Sequence, residues 1–326
     1  MKPSAPVAGK FAGAAARSIA AALLAATALL ARSAPPAGDV ATDLLAPQGV
    51  ISGGFSVPAV RAPGQPPSGQ YVKLVYPSSL SATGPDLYVA DSGLARLLRV
   101  DTITQSVAQL APLPALPGVR VKSGPDGSVY ILRPDLGEVD RLSREGRRLA
   151  SFSSTFEILQ PSDLVIEPTL NQIWIADAAG GVFAFHPSGR MSQPIAGSRD
   201  GFATEESGAT LLAASPQRVV GIDPRCRCVI EFDRDGIVMA RFGEGEIVNP
   251  QGIALDGYDR VWIVDRGDQR LKVFDGDVLV FAIPASRLGL TDVTAIAIDH
   301  PRAYVADGPG GRIGVFAILP PPARTP

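Results

Sequence analysis

A five-residue pattern, apolar-apolar-x-Ala-Asp or a near variant, recurs six times along this chain. The copies are LYVAD ending at Asp91, VYILR at Arg133, IWIAD at Asp177, VVGID at Asp223, VWIVD at Asp265 and AYVAD at Asp307. Successive copies are 42, 44, 46, 42 and 42 residues apart. A unit of this length holds a few short strands and cannot bury its own apolar face, so neighbouring units must stack. The period and the strand content predict an all-β protein: a six-bladed β-propeller of four-stranded antiparallel blades spanning 70–319. The 34 glycines and 30 prolines supply the tight turns that so many short strands need.

The fifth repeat shows the order within a blade most plainly. Ile253–Leu255 reads as a short inner strand, Asp256-Gly257 as a hairpin turn, and Val261–Val264 as a second strand that is apolar throughout. A loop at Asp265-Arg266-Gly267-Asp268 leads to a third strand, Leu271–Phe274, and Asp275-Gly276-Asp277 turns into an outer strand, Val278–Ile283. An unbroken apolar run fits a strand covered on both faces by adjacent blades. The sixth repeat ends after its third strand, Arg312–Ile318, and runs into prolines. An N-terminal segment is therefore expected to complete that blade and cover its open edge. Val50–Val57 is favoured for this role over Gln70–Val75, because a connection of several residues is needed before the first inner strand.

The stretch NPQGIALDGYDRVWIVDRGDQRLKVFDGD resembles an NHL repeat, with fainter echoes in the other five blades. The resemblance implies a six-bladed propeller with a binding surface on its top face. It does not imply one activity, because such propellers include ligand binders, signalling modules and a few enzymes.

Lys2, Lys10 and Arg17 precede an Ala/Leu-rich run from Ser18 to Ala31, followed by Arg-Ser-Ala-Pro-Pro. This is the pattern of a secretory signal peptide over 1–33, with cleavage before Ala34, although an uncleaved anchor shares the apolar run. The mature chain would then carry 26 basic and 32 acidic residues, a net charge of −6, which argues against nucleic acid as a partner. Residues 34–69 read as a Pro/Gly-rich linker containing the closing strand, and 320–326 as an irregular tail. No later segment has the roughly 18 consecutive apolar residues of a membrane span.

Five of the six repeats end the second strand in Asp. Five positions later stand Arg96 after Asp91, Arg270 after Asp265 and Arg312 after Asp307, while Arg133 is followed by Glu138. The reversed order in the second blade suggests ion pairs across each turn, with the Asp side chains also capping loop N–H groups. Asp177 and Asp223 lack the expected Arg, being followed by Val182 and Cys228, and so are the rim carboxylates left for a ligand. Alternatively, Arg225 or Arg227 neutralises Asp223 locally, while Asp177 only caps its Ala-Ala-Gly-Gly turn. The alternation Val119-Arg120-Val121-Lys122 points Arg120 and Lys122 into the central channel, with Asp163, Ser78, Ser79, Gln251 and Thr294 at comparable entrances. This makes Arg120 and Asp163 candidates for holding an anionic ligand, the alternative being that they pair with channel acids or waters.

The two histidines, His186 and His300, fall on an outer hairpin and an inner turn and do not converge on the rim, which weighs against a zinc site. Cys226 and Cys228 leave three readings open: a local disulfide, free thiols or a soft-metal site. On a regular strand their Cα atoms would stand about 6.5–7 Å apart, at the limit for bridging. Taken together, the residues suggest a monomeric, exported, non-catalytic binding or scaffold protein without a cofactor, acting on a protein, small-molecule or glycan ligand. The alternative is a propeller enzyme, a lyase or a lactone or ester hydrolase, with Asp177 and Asp223 holding a divalent cation such as calcium.

Overall fold

The computed structural model describes residues 44–56, 69–115, 118–153, 160–178, 181–196 and 209–320. The expected signal peptide over 1–33, its expected cleavage before Ala34, and residues 321–326 lie outside the described residues. Among them, no helix is long and apolar enough to cross a membrane.

The strands form six sheets, one per repeat and antiparallel but for one added strand in blade one, in the arrangement of a six-bladed propeller. Blade five comprises Pro250–Leu255, Val261–Asp265, Arg270–Asp275 and Val278–Pro284, each within three residues of its expected bounds. The unbroken apolar second strands are explained by where their two faces go. In Val261–Asp265, Val261 and Ile263 enter a core shared with blade four, including Ile222 and Val229. Trp262 and Val264 enter the opposite core, shared with blade six, beside Val305 and Phe316. Each of the six apolar clusters lies between two consecutive blades in this way. Burial is thus greatest between blades, and among the described residues no blade has an apolar cluster of its own.

Blade six is completed by an N-terminal strand, as its missing fourth strand requires. The strand is Leu45–Ile51, not Val50–Val57: it pairs with Arg312–Ile318 from Leu45↔Ile318 to Ile51↔Ile313. Leu44 and Leu45, 1% and 2% exposed, fix this register by filling the core between blades five and six. The two other N-terminal segments extend blade one. Gly53–Ser56 runs parallel to its outer strand Ser106–Pro112, and Tyr71–Lys73 adds antiparallel to Gly53–Ser56, giving a six-stranded sheet. Gly54 lies against the chain at Gln105, where a Cβ would come within 2.3 Å of a carbonyl oxygen, so only glycine fits that crossing.

One turn geometry recurs between the second and third strands. Ala95, Gly137, Arg227, Gln269 and Gly311, each the fourth residue after the rim position, have φ of 52°, 60°, 52°, 57° and 59°. A left-handed residue there reverses the chain tightly enough for Asp91↔Arg96, Arg133↔Glu138, Asp265↔Arg270 and Asp307↔Arg312 to pair in register.

Candidate functional site

The rim carboxylates are the natural first place to look for chemistry, and the fold buries them. Asp91, Asp265 and Asp307 are 0% exposed, Asp177 3% and Asp223 2%. Asp91 accepts the N–H groups of Val75 and Tyr76 at 2.8 and 2.9 Å, and of Leu94 at 3.0 Å. Asp265 does the same for Val248, Asn249 and Gly267 at 2.8, 2.8 and 3.0 Å. Asp307 takes Thr291, Asp292 and Gly310 at 3.0, 3.2 and 3.2 Å. In each case the carboxylate holds the loop that delivers the chain to the inner strand, together with its own turn. Buried backbone N–H groups need acceptors, and the Asp supplies them.

The paired positions do not all become ion pairs. Only Arg312 reaches its expected partner, with Nε 3.0 Å from Asp307. Asp265 is paired by Lys272 at 2.7 Å, while Arg270 lies 4.0 Å from Asp268. Arg133 turns to Asp140 at 3.0 Å, and Glu138 to Arg148 at 3.3 Å. Asp91 is held by N–H groups, and Arg96 is exposed. The reason is direction: the short Asp side chain points inward to the loop N–H groups, while Arg96 and Arg270, which open the third strands of blades one and five, are exposed to solvent. Burial raises the Asp265 carboxyl, but Lys272 and the Val248 and Asn249 N–H groups outweigh it and hold it below the ordinary value. Asp307 is likewise depressed on balance, with burial opposed by Thr291, Asp292 and Arg312.

Asp177 and Asp223, expected to be the carboxylates open to a ligand, are also engaged. Asp177 accepts the Gln160 N–H at 3.2 Å. Asp223 accepts the N–H of Arg225 at 2.8 Å and its guanidinium at 3.2 Å. Among the described residues, no three His, Cys, Asp or Glu side chains come together in a way that would hold a metal ion. His186 bonds Ser188 at 3.0 Å, and His300 packs edge-on against Tyr258 at 4.9 Å, both remote from the rim.

The channel-lining residues join adjacent inner strands. Ser79 Oγ of blade one accepts the Val121 N–H of blade two at 3.1 Å. Arg120 of blade two donates to the Ser162 carbonyl of blade three at 3.2 Å and across the channel to Gln251 at 3.3 Å. Asp163 of blade three accepts the Leu212 N–H of blade four at 2.9 Å. Thr294 of blade six donates to the Pro77 carbonyl of blade one at 2.9 Å. Arg120 and Asp163, singled out above as ligand-binding candidates, are thus inter-blade clasps. Lys122 is half-buried and borders a channel cavity of about 180 Å³ at the end away from the rim.

Cys226 and Cys228 are bonded to each other, with Cα atoms 5.2 Å apart. Extended backbone would not allow this; the left-handed Arg227 between them closes the gap. Arg227 is the blade-four counterpart of Gln269, which lies just past the loop the sequence marks at Asp265-Arg266-Gly267-Asp268.

A cleft of about 390 Å³ that the repeat pattern does not reveal lies where the closing strand of blade six meets the added strands of blade one. Phe55 and Tyr71, 44% and 48% exposed, stand edge to face at its lip with ring centres 5.3 Å apart. Gln48, Gln105, Thr102 and Arg302 supply polar groups, over a floor of Val100, Tyr304 and Val315. Arg302 begins the strand that ends at Asp307, so the cleft is at the opposite end of the blades from the rim.

No protein-family model matches the chain, and no curated protein matches its sequence. Solved structures do resemble it. Virginiamycin B lyase from Staphylococcus aureus is 10% identical with a TM-score of 0.55, over 75% of this chain and 96% of that one. A gluconolactonase from Xanthomonas campestris is 16% identical with a TM-score of 0.54, over 84% and 99%. The WD40 propeller domain of Doa1 is 13% identical with a TM-score of 0.54, over 73% and 77%. At these identities the likeness is one of fold, and it places the chain among the β-propellers.

Proposed function

We propose that this chain is an exported, non-catalytic binding or scaffold protein of NHL type, with its ligand seat in the cleft at the blade six–blade one seam. The observation that carries the reading is a division of labour. The rim carboxylates are buried and committed to loop N–H groups, whereas exposed Phe55 and Tyr71 border an open cleft of ligand size. Aromatic faces, amides, a hydroxyl and one guanidinium suit a saccharide: the C–H face of a pyranose covers an aromatic ring, while its hydroxyl or carboxylate groups meet Gln48, Gln105 and Arg302. The seat thus differs from the top face that the family resemblance implies.

The test is calorimetric titration of the mature protein with neutral and acidic oligosaccharides. Phe55→Ala and Tyr71→Ala should each weaken binding about tenfold, as loss of an aromatic anchor does. Arg302→Ala should weaken only acidic sugars. Binding that ignores all three substitutions but is lost on Val248→Ser at the rim would return the site to the top face.

A further inference from the structure

Five blades make the same left-handed turn between the second and third strands, and four of them make it without a cysteine, using Ala95, Gly137, Gln269 or Gly311. The Cys226–Cys228 bond is therefore not needed to form the turn. It closes a loop with a single residue inside it, so it removes little freedom from the unfolded chain and does little for stability. Its environment is suited to another purpose. Cys226 is partly exposed at the rim, whereas Cys228 is 2% exposed. Arg225 and Arg227 flank Cys226 and are both exposed, and Arg225 also neutralises the adjacent Asp223 at 3.2 Å. An approachable sulfur, a sheltered partner and positive charge beside the approachable one are the conditions that favour a thiolate and its exchange.

We propose that Cys226–Cys228 is a thiol–disulfide exchange site for peptide or protein dithiols that reach the rim of blade four. An incoming thiolate attacks Cys226 Sγ. The Cys226–Cys228 bond breaks, its electron pair departs on Cys228 Sγ, and that sulfur takes a proton from water. The second thiolate of the substrate then attacks the substrate sulfur of the mixed disulfide and releases Cys226. The dithiol is oxidised to a disulfide, and the cysteine pair gains the two electrons. A small disulfide such as oxidised glutathione restores the pair by the reverse sequence.

The experiment uses the mature full-length protein with glutathione as probe, with adducts read by intact mass and folding by circular dichroism. Reduced glutathione should open the pair while the spectrum stays native. With oxidised glutathione, the Cys228→Ser variant should form an adduct at Cys226 at least about tenfold faster than Cys226→Ser forms one at Cys228, because burial shields that sulfur. Replacing both arginines, Arg225→Gln with Arg227→Gln, should slow exchange with anionic glutathione about tenfold and leave exchange with cationic cysteamine no slower. This arm stands even if a cysteine variant fails to fold. A pair that opens only in denaturant, equal reactivity at the two cysteines, or equal slowing with both thiols would overturn the proposal.

Discussion

The ammonium of Lys272 lies 2.7 Å from the carboxylate of Asp265 inside the rim of blade five, both side chains being almost wholly buried. Arg270, directly opposite Asp265 in the strand register, is 45% exposed at its side chain. Lys272→Met would therefore leave a buried carboxylate without its cation and should cost about 3 kcal/mol. Arg270→Ala should cost about 0.5 kcal/mol or less. Urea denaturation of the two variants checks the order, and a larger loss for Arg270→Ala would show that the register pair is the working one.

In blade two the energetic partner of Arg133 is Asp140, which is buried between Arg133 at 3.0 Å and Arg148 at 2.7 Å. A double-mutant cycle on Arg133 and Asp140 should give about 1–3 kcal/mol of coupling. The same cycle on Arg133 and Glu138 should stay under about 0.5 kcal/mol, because each turns to a different partner.

Acid should unfold the protein partly through the rim. The Asp265 and Asp307 carboxyls are depressed in the folded state, so they bind fewer protons there than in the unfolded chain, where Asp titrates near 3.9. Their stabilisation is complete above that value and is lost as pH falls through the lower folded value. Asp265→Asn should thus be clearly less stable than the parent at neutral pH, with the gap narrowing as pH falls below about 4. Parallel stability curves would count against the depressed carboxyl.

Closure of the ring rests on Leu45–Ile51. Leu45→Ala should cost about 2–4 kcal/mol through the cavity left between blades five and six. A chain beginning at Gly53 lacks the whole strand and should melt about 10 °C or more below the mature protein. Unchanged melting would show that blade six does not depend on its N-terminal strand.

The repeat made the propeller legible because second strands packed on both faces must be apolar throughout, and that pattern survives in all six copies. The hairpin at Asp256-Gly257 and the outer strand at Val278 follow from local turn chemistry for the same reason. The place of Gly53–Ser56 in blade one was not legible within the candidate Val50–Val57: a four-residue strand with two glycines has no useful period, and its parallel partner Ser106 is distant in sequence. Of the expected ion pairs only Asp307 with Arg312 forms, because spacing fixes which Cα atoms face each other but not which way side chains turn. Asp91 and Asp265 turn to buried N–H groups, the capping role the turn chemistry already implied. The seam cleft escaped notice because Phe55 and Tyr71 meet through a short strand pair with no sequence signal, and Arg302 of blade six joins them only through closure of the ring.

The claim that the rim aspartates are structural pins is tested most directly by metal analysis of the purified mature protein alongside its Asp177→Ala and Asp223→Ala variants. The expected result is no stoichiometric divalent ion in any of the three, melting unaffected by chelator, and lower stability in both variants. One tightly bound calcium or similar ion per chain, lost in both variants and matched by a chelator-dependent drop in melting temperature, would contradict it and favour the enzyme.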